Sequence, residues 1–329
     1  MKFKTLMLAA MCALAAATVQ AKTLKLSHQW PQGDGRDAGA RLFVQEVQKQ
    51  DPSIKFRVYP GASLISNPLK QIDALADGSI DLSIFPLIYA VGKAPEFSIT
   101  ILPGAISGVQ DAMRFKGTDY EKRLQEIARQ QGFHILTWWW TEGGIANKAH
   151  PITTPDSVKG LKFRGADRTI DTMLRAAGAS VFSMPSTELY NALQTGVLDG
   201  LMTSYETFMS MRLYEQTKYA TLGGDYTIFV VFQPLVISTK TWDSLTDAQK
   251  KIFEKAADAT LPSFNKEQDR IKFEAVKKFK AAGVQVHAMT KDDYDSWLAL
   301  AHKTAWPEYA SISPAAKGLL ESVEALSKK

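Results

Sequence analysis

The sequence predicts an α/β protein built as two similar lobes. A β-α-β-α-β rhythm runs through the first third of the chain and restarts near Ile135. A chain of 329 residues also exceeds the size at which a single hydrophobic core stops growing. After the second repeat come one apolar run and one long helical stretch, each long enough to pass from lobe to lobe.

The elements follow in order. Leu24, Leu26 and His28 alternate as a strand does, and the next segment places Ala40, Phe43, Val44 and Val47 on one helical face. IKFRVYP (54–60) reads as the second strand, Pro68 to Ala76 as a helix and DLSIFP (81–86) as the third strand. Such an order builds a parallel sheet with right-handed crossovers. The second round reads ILTWWW (135–140), GLKFR (160–164), a helix from Thr169 to Ala177, ASVFSM (179–184), a helix from Ser186 to Gln194 and VLDGLMTS (197–204). TIFVVFQPLVIST (227–239) reads as one long apolar strand, and Asp247 to about Ala282 as a helix with a kink expected at Pro262. No low-complexity linker separates the lobes, so the crossing segments themselves are the expected hinge. The expected boundaries are 22–141 plus about 230–268 for lobe I, and 142–229 plus about 269–329 for lobe II.

The N-terminus predicts export. MKFKT is a short basic start, an apolar run follows, and Val19 to Ala21 form a small-residue cleavage site, so residues 1–21 read as a signal peptide. The run is too short for a confident membrane span, and stable membrane insertion is not expected. The single cysteine, Cys12, lies within it, and Met11 and Ala9 fit a lipid-attachment motif poorly. Removing Lys2 and Lys4 lowers the formal charge from +5 by two. The remaining Lys and Arg residues are interleaved with acids, which argues against a nucleic-acid partner.

Arg164 ends the strand GLKFR, and ligands of α/β proteins gather at the carboxyl ends of strands. A guanidinium presents a planar fork that matches a carboxylate, so an organic anion is the expected ligand. The alternative is a surface arginine paired with Asp167 or Asp171. Thr203 and Ser204 close the strand after the DG turn and are candidate hydrogen-bond partners of the ligand. His28, Gln29 and Trp30 end the first strand, where His28 and Trp30 are candidates to complete the cage from the first lobe. Alternation sends Trp138 and Trp140 to one face and Trp139 to the other, so one face is core while Trp140 or Trp139 is a candidate cleft wall.

The ordered series KLSHQWPQGD, YPGASL, QIDALADGSIDLSIF, LPGAI, KGLKFR, FSMPSTELYNALQTGVLDG and WDSLTDAQKKIF resembles the DctP-type solute-binding proteins of TRAP (tripartite ATP-independent periplasmic) transporters. The resemblance implies a two-lobed periplasmic binding protein with a cleft between lobes, crossing strands and a long spanning helix. It implies capture of an organic acid, with Arg164 as the carboxylate clamp, and delivery in the periplasm to the small and large permease subunits by a monomer. It also places Tyr89 and Phe232 near the cleft, either as lining or as core.

Two departures bear on the ligand. Sialic-acid-binding members carry a second arginine at the position of Gly144, and the asparagine that contacts ligand after the DG turn falls in the stretch Leu201, Met202, Thr203 and Ser204. One of the two hydroxyls is the expected replacement. Arg168 is a candidate second cation if it faces the cleft, and otherwise pairs with Asp167 or Asp171 in solvent.

Catalytic signatures are missing: there is no GxSxG, HExxH or phosphate loop, and His28, His134, His150, His287 and His302 lack metal-ligand spacing. Neither a metal nor a cofactor is expected. A periplasmic sensor for a receptor would use the same cleft, and a secreted hydrolase, with Glu142 and Glu188 as paired acids, is the contrasting class.

Overall fold

The computed structural model describes residues 23–327, so the expected signal peptide and Cys12 lie outside the described residues. Two sheets organise the chain. The first has the order β2 (Lys55–Tyr59), β1 (Thr23–Ser27), β3 (Leu82–Ile84), β11 (Leu235–Ser238) and β4 (Phe133–Ile135). The second runs β12 (Gln285–His287), β9 (Tyr219–Thr221), β5 (Trp140–Asn147), β8 (Gly200–Ser204), β6 (Lys162–Arg164) and β7 (Ser180–Phe182), with β10 (Val230–Phe232) also paired to β5.

Both sheets are mixed rather than purely parallel. The segments that join the lobes enter antiparallel: β11 runs against β3 and β4, and β5 against β8, β9 and β10. The expected strand 135–140 is therefore a crossing, because β4 ends at Ile135 in the first sheet and β5 begins at Trp140 in the second. The expected single strand 227–239 divides in the same way, at Gln233 and Pro234. Proline lacks the N–H that a continuing ladder needs, so the chain changes sheets there.

The long helix Asp247–Ala281 continues through Pro262. It starts with a capping box in which Thr246 and Gln249 satisfy each other's backbone N–H groups. It packs on the helix Gly35–Gln50 beside the first sheet and on the helix Tyr205–Ser210 and β5 in the second. The last helix, Pro314–Ser327, packs on the helix Asp119–Gln130 and on the preceding helix Ala305–Ala310.

Alternation of the three tryptophans holds, and all three are core. Trp138 and Trp140 join the cluster that includes Phe163, Phe232 and Tyr309, whereas Trp139 joins the one with Phe43 and Phe253. Trp139 stacks on Phe264 of the long helix at 4.7 Å and donates to Thr260 Oγ1 at 3.2 Å. Burying such rings away from water stabilises the fold by roughly 1.5–3 kcal/mol each, and these rings sit where the chain passes between lobes.

Candidate functional site

The sequence Phe163-Arg164-Gly165-Ala166-Asp167 builds one wall of a cavity between the lobes. Arg164 ends β6, and Asp167 caps the helix Arg168–Ala176 by accepting from Thr169 N–H at 2.8 Å. The turn between them is tight. A Cβ on Gly165 would lie 2.3 Å from Asp171 Oδ1, and Ala166 holds a φ of 89°, a conformation that costs a non-glycine residue about 1–3 kcal/mol. Ala166 lines the cavity directly.

Arg164 is 2% exposed. Its Nε and Nη2 donate to the carbonyl of Met184 at 3.2 and 3.1 Å, and Nη1 donates to that of Met202 at 3.1 Å. Each Nη carries a further hydrogen, so the backbone fixes the fork without consuming its end. Residues close by in sequence pair elsewhere: Asp171 with Arg175 at 4.0 Å, and Arg168 with Glu308 at 3.0 Å. Among the described residues Arg164 has no ion-pair partner. Burial lowers its pKa, and Tyr89, Asp171 and Asp167 oppose that shift. A buried cation held by carbonyls and lacking a counter-charge is expensive unless an anion joins it.

Facing Arg164 are Gln29, Tyr89 and Ser186, with Pro86 and Ile88 beside them. Gln29 Nε2 donates to Ser186 Oγ at 2.8 Å and to Tyr89 Oη at 3.4 Å, and Ser186 N–H donates to Tyr89 Oη at 2.9 Å. Thr203, Ser204, Thr207, Val231 and Gln233 form the floor. Ser204 caps the helix Tyr205–Ser210 by accepting from Thr207 N–H at 3.4 Å, and its Oγ lies 2.9 Å from Thr207 Oγ1. The space they enclose is about 20 Å³, roughly one water molecule. It adjoins a wider groove of about 620 Å³ that shares Ile88, Tyr89 and Ala166.

Of the expected site residues, the structure brings together Arg164, Tyr89, Thr203 and Ser204. His28 does not line the cavity. It is fully buried, with Nε2 3.1 Å from Asp37 Oδ1. Although burial raises the Asp37 pKa, hydrogen bonds from His28 and Arg41 hold it well below the usual carboxylate range. Trp30 is also fully buried, with the Arg36 guanidinium 3.9 Å above its ring. Trp140 and Phe232 stack on each other at 4.5 Å with no exposure, so both are core rather than wall.

Arg168 turns outward to Glu308 and lines the wider groove, with 44% of its side chain exposed. Gly144 leaves no room for a larger residue: a Cβ there would lie 2.5 Å from Leu222 Cδ2 and 2.9 Å from the Thr221 carbonyl. Glu142 is paired with Lys272 at 2.8 Å and Glu188 lines the outer groove, so neither faces the cavity.

Sequence reasoning missed Ser186, Thr207 and Gln233, and left Gln29 without a role. A parity signal was available for Gln29: neighbours in an extended segment point to opposite sides, so Gln29 faces the cavity while His28 and Trp30 face the first helix. Gln233 is a lone amide inside an apolar run, which is itself a signal that it meets a polar partner.

Residues 26–311 match the family model described as bacterial extracellular solute-binding protein, family 7. A solute-binding protein of Albidiferax ferrireducens is 33% identical over 335 residues, covering 95% of this chain and 96% of its own length. The crystal structure of a TRAP periplasmic solute-binding protein from Rhodoferax ferrireducens, with bound malonate, superposes with a TM-score of 0.90 at 32% identity, over 93% of this chain and 98% of that one. A TRAP periplasmic solute-binding protein from Desulfovibrio salexigens, solved with orotic acid, shares the fold at a TM-score of 0.85 and 22% identity, over 93% of this chain and 98% of that one.

Proposed function

The chain belongs to the bacterial extracellular solute-binding proteins of family 7, and from that premise we propose that Arg164 clamps the carboxylate of a small organic acid between the lobes. The family's work is carriage: its members bind small organic acids in the periplasm and act with TRAP membrane permeases. The observation that carries the clamp is the buried, carbonyl-held guanidinium of Arg164, which has no ion-pair partner among the described residues. Tyr89 from the facing lobe and Thr203 or Ser204 from the floor complete the ligand's hydrogen bonds. Arg168 stays outside. The malonate of the Rhodoferax protein supports a compact acid over a sugar acid by its size alone, not by its second charge.

The chain is exported by residues 1–21, acts as a monomer, binds its acid reversibly without converting it, and presents the closed lobes to the small and large permease subunits. The lobes are 22–141 with about 230–268, and 142–229 with about 269–329. Titrating the mature protein with a library of organic acids in a thermal-shift assay tests this reading, because a ligand that binds the native state raises its apparent stability. A stabilising acid should be recovered unchanged by mass spectrometry. Stabilisation by no organic acid, or conversion of the one that binds, overturns it.

A further inference from the structure

Gln233 sits at the point where the chain leaves β10 for β11, on the cavity floor. Its Oε1 accepts from Arg36 Nη1 at 2.8 Å. An arginine only donates, so the amide oxygen is fixed toward Arg36 and the amide N–H groups are left toward the cavity. Arg36 is held in turn. Its Nε and Nη2 donate to Asp34 Oδ1 and Oδ2 at 2.8 and 2.7 Å, its Nη1 also reaches Thr207 Oγ1 at 3.2 Å, and Trp30 lies beneath it. Both members of the Arg36–Asp34 pair are buried, so Arg36 has its counter-charge behind the floor, and the amide N–H groups of the cavity-lining Gln233 remain to donate.

The facing wall has the same character. Tyr89 Oη accepts from Ser186 N–H and from Gln29 Nε2, which leaves its own O–H to donate. Ser186 Oγ accepts from Gln29 and likewise keeps its proton. The cavity thus offers one cation, Arg164, and several neutral donors, with no second positive charge on its lining.

Resting on the reading that Arg164 clamps a carboxylate, we propose that Gln233 is a specificity residue. Its N–H groups select a compact monocarboxylate bearing a second, neutral acceptor oxygen, a 2-oxo or 2-hydroxy acid. A plain aliphatic acid would leave the amide N–H unpaired on desolvation, and a dicarboxylate would bury a second negative charge with no cation to meet it.

The test is calorimetric titration of the mature wild-type protein with butyrate, 2-oxobutyrate, 2-hydroxybutyrate and succinate, repeated on Gln233→Glu and Gln233→Met. Glutamate keeps the acceptor that Arg36 needs while replacing the cavity N–H with an acceptor. Its added charge opposes all monocarboxylates alike and cancels in their ratio. Wild type should bind the oxo or hydroxy acid at least tenfold more tightly than butyrate and than succinate, and both variants should bring the ratio to butyrate below threefold. Equal binding of butyrate and its substituted forms by wild type, tightest binding of succinate, or retained discrimination in both variants overturns the specificity role while leaving the Arg164 clamp standing. If the wild type binds none of the four acids but does bind a larger carboxylate, the compact-acid inference falls alone. If it binds no carboxylate at all, the clamp falls with it.

Discussion

Gln29 and Ser186 meet across the cleft, the amide of one lobe donating to the hydroxyl of the other at 2.8 Å. A second bridge lies nearby, from Ser98 Oγ to Asp167 Oδ2 at 2.9 Å. These contacts, with Arg36 reaching Thr207, hold the lobes together around the Arg164 fork. Contacts of this kind bring the two lobes together around Arg164, where a low local dielectric strengthens its interactions.

The first expected outcome concerns that bridge. Gln29→Ala removes the hydrogen bonds to Ser186 and Tyr89, and a hydrogen bond of this kind contributes about 1 kcal/mol net. Affinity for the bound acid should fall about fivefold or somewhat more, mainly through faster dissociation. Small-angle scattering of the unliganded variant should give a larger radius of gyration than wild type. An unchanged radius together with unchanged dissociation would remove Gln29 from the closure mechanism.

Arg164 provides the second. Replacing it with alanine removes the only charge that the described residues place on the cavity lining, and losing a buried charge-assisted pair costs about 2–5 kcal/mol of binding, more than about thirtyfold in affinity. Lysine should recover little of it. The carbonyls of Met184 and Met202 hold a fork, and an ammonium cannot satisfy both while also facing a carboxylate in two places. Calorimetry of Arg164→Lys within threefold of wild type would show that charge alone, not the fork, binds the ligand.

Arg168 gives the contrasting case. Its guanidinium is paired with Glu308 at 3.0 Å in a solvent-exposed setting, and such pairs contribute about 0–1 kcal/mol. Arg168→Gln should change the affinity for mono- and dianionic acids less than twofold. It should shift the urea unfolding midpoint only slightly. A selective loss of dianion binding would mean that Arg168 reaches the ligand after all.

Residue chemistry and strand ends made Arg164, Thr203 and Ser204 legible in the sequence, because a cation or hydroxyl at the carboxyl end of a strand has few other places to go. The two-lobed order and the spanning helix were legible for the same kind of reason: period and length are local properties. Sheet membership was not. Whether 135–140 is a strand depends on which edges are free to pair with β4 and β5, which are properties of the assembled sheets. The misplacement of His28 and Trp30 arose from parity, since one step along an extended segment exchanges cavity for core. Gln233 remained hidden because its meaning comes from Arg36, which is 197 residues away in sequence.

Asp171 supplies the last expected outcome, a pH dependence. Burial raises its carboxyl pKa from 3.8 to about 6, against the lowering effect of Arg175, and Asp167 adds to the rise. It is 5% exposed and its Oδ1 has no hydrogen-bond partner. A carboxyl whose folded pKa exceeds its unfolded value binds more protons when folded. Its contribution therefore favours folding most below about 3.8 and is lost as pH rises toward about 6, above which the cost is constant. Asp171→Asn keeps the size and an acceptor for Gly165 N–H, and removes this titration. Urea unfolding at several pH values should show the variant gaining stability over wild type as pH rises from about 4 to 6. The gain should level off at pH 7 at about 3 kcal/mol, since a tenfold change in proton affinity corresponds to about 1.4 kcal/mol and the rise from 3.8 to about 6 already includes the attraction of Arg175 and Arg164. A difference between the two proteins that stays flat across that window would mean that Asp171 titrates as an ordinary carboxylate.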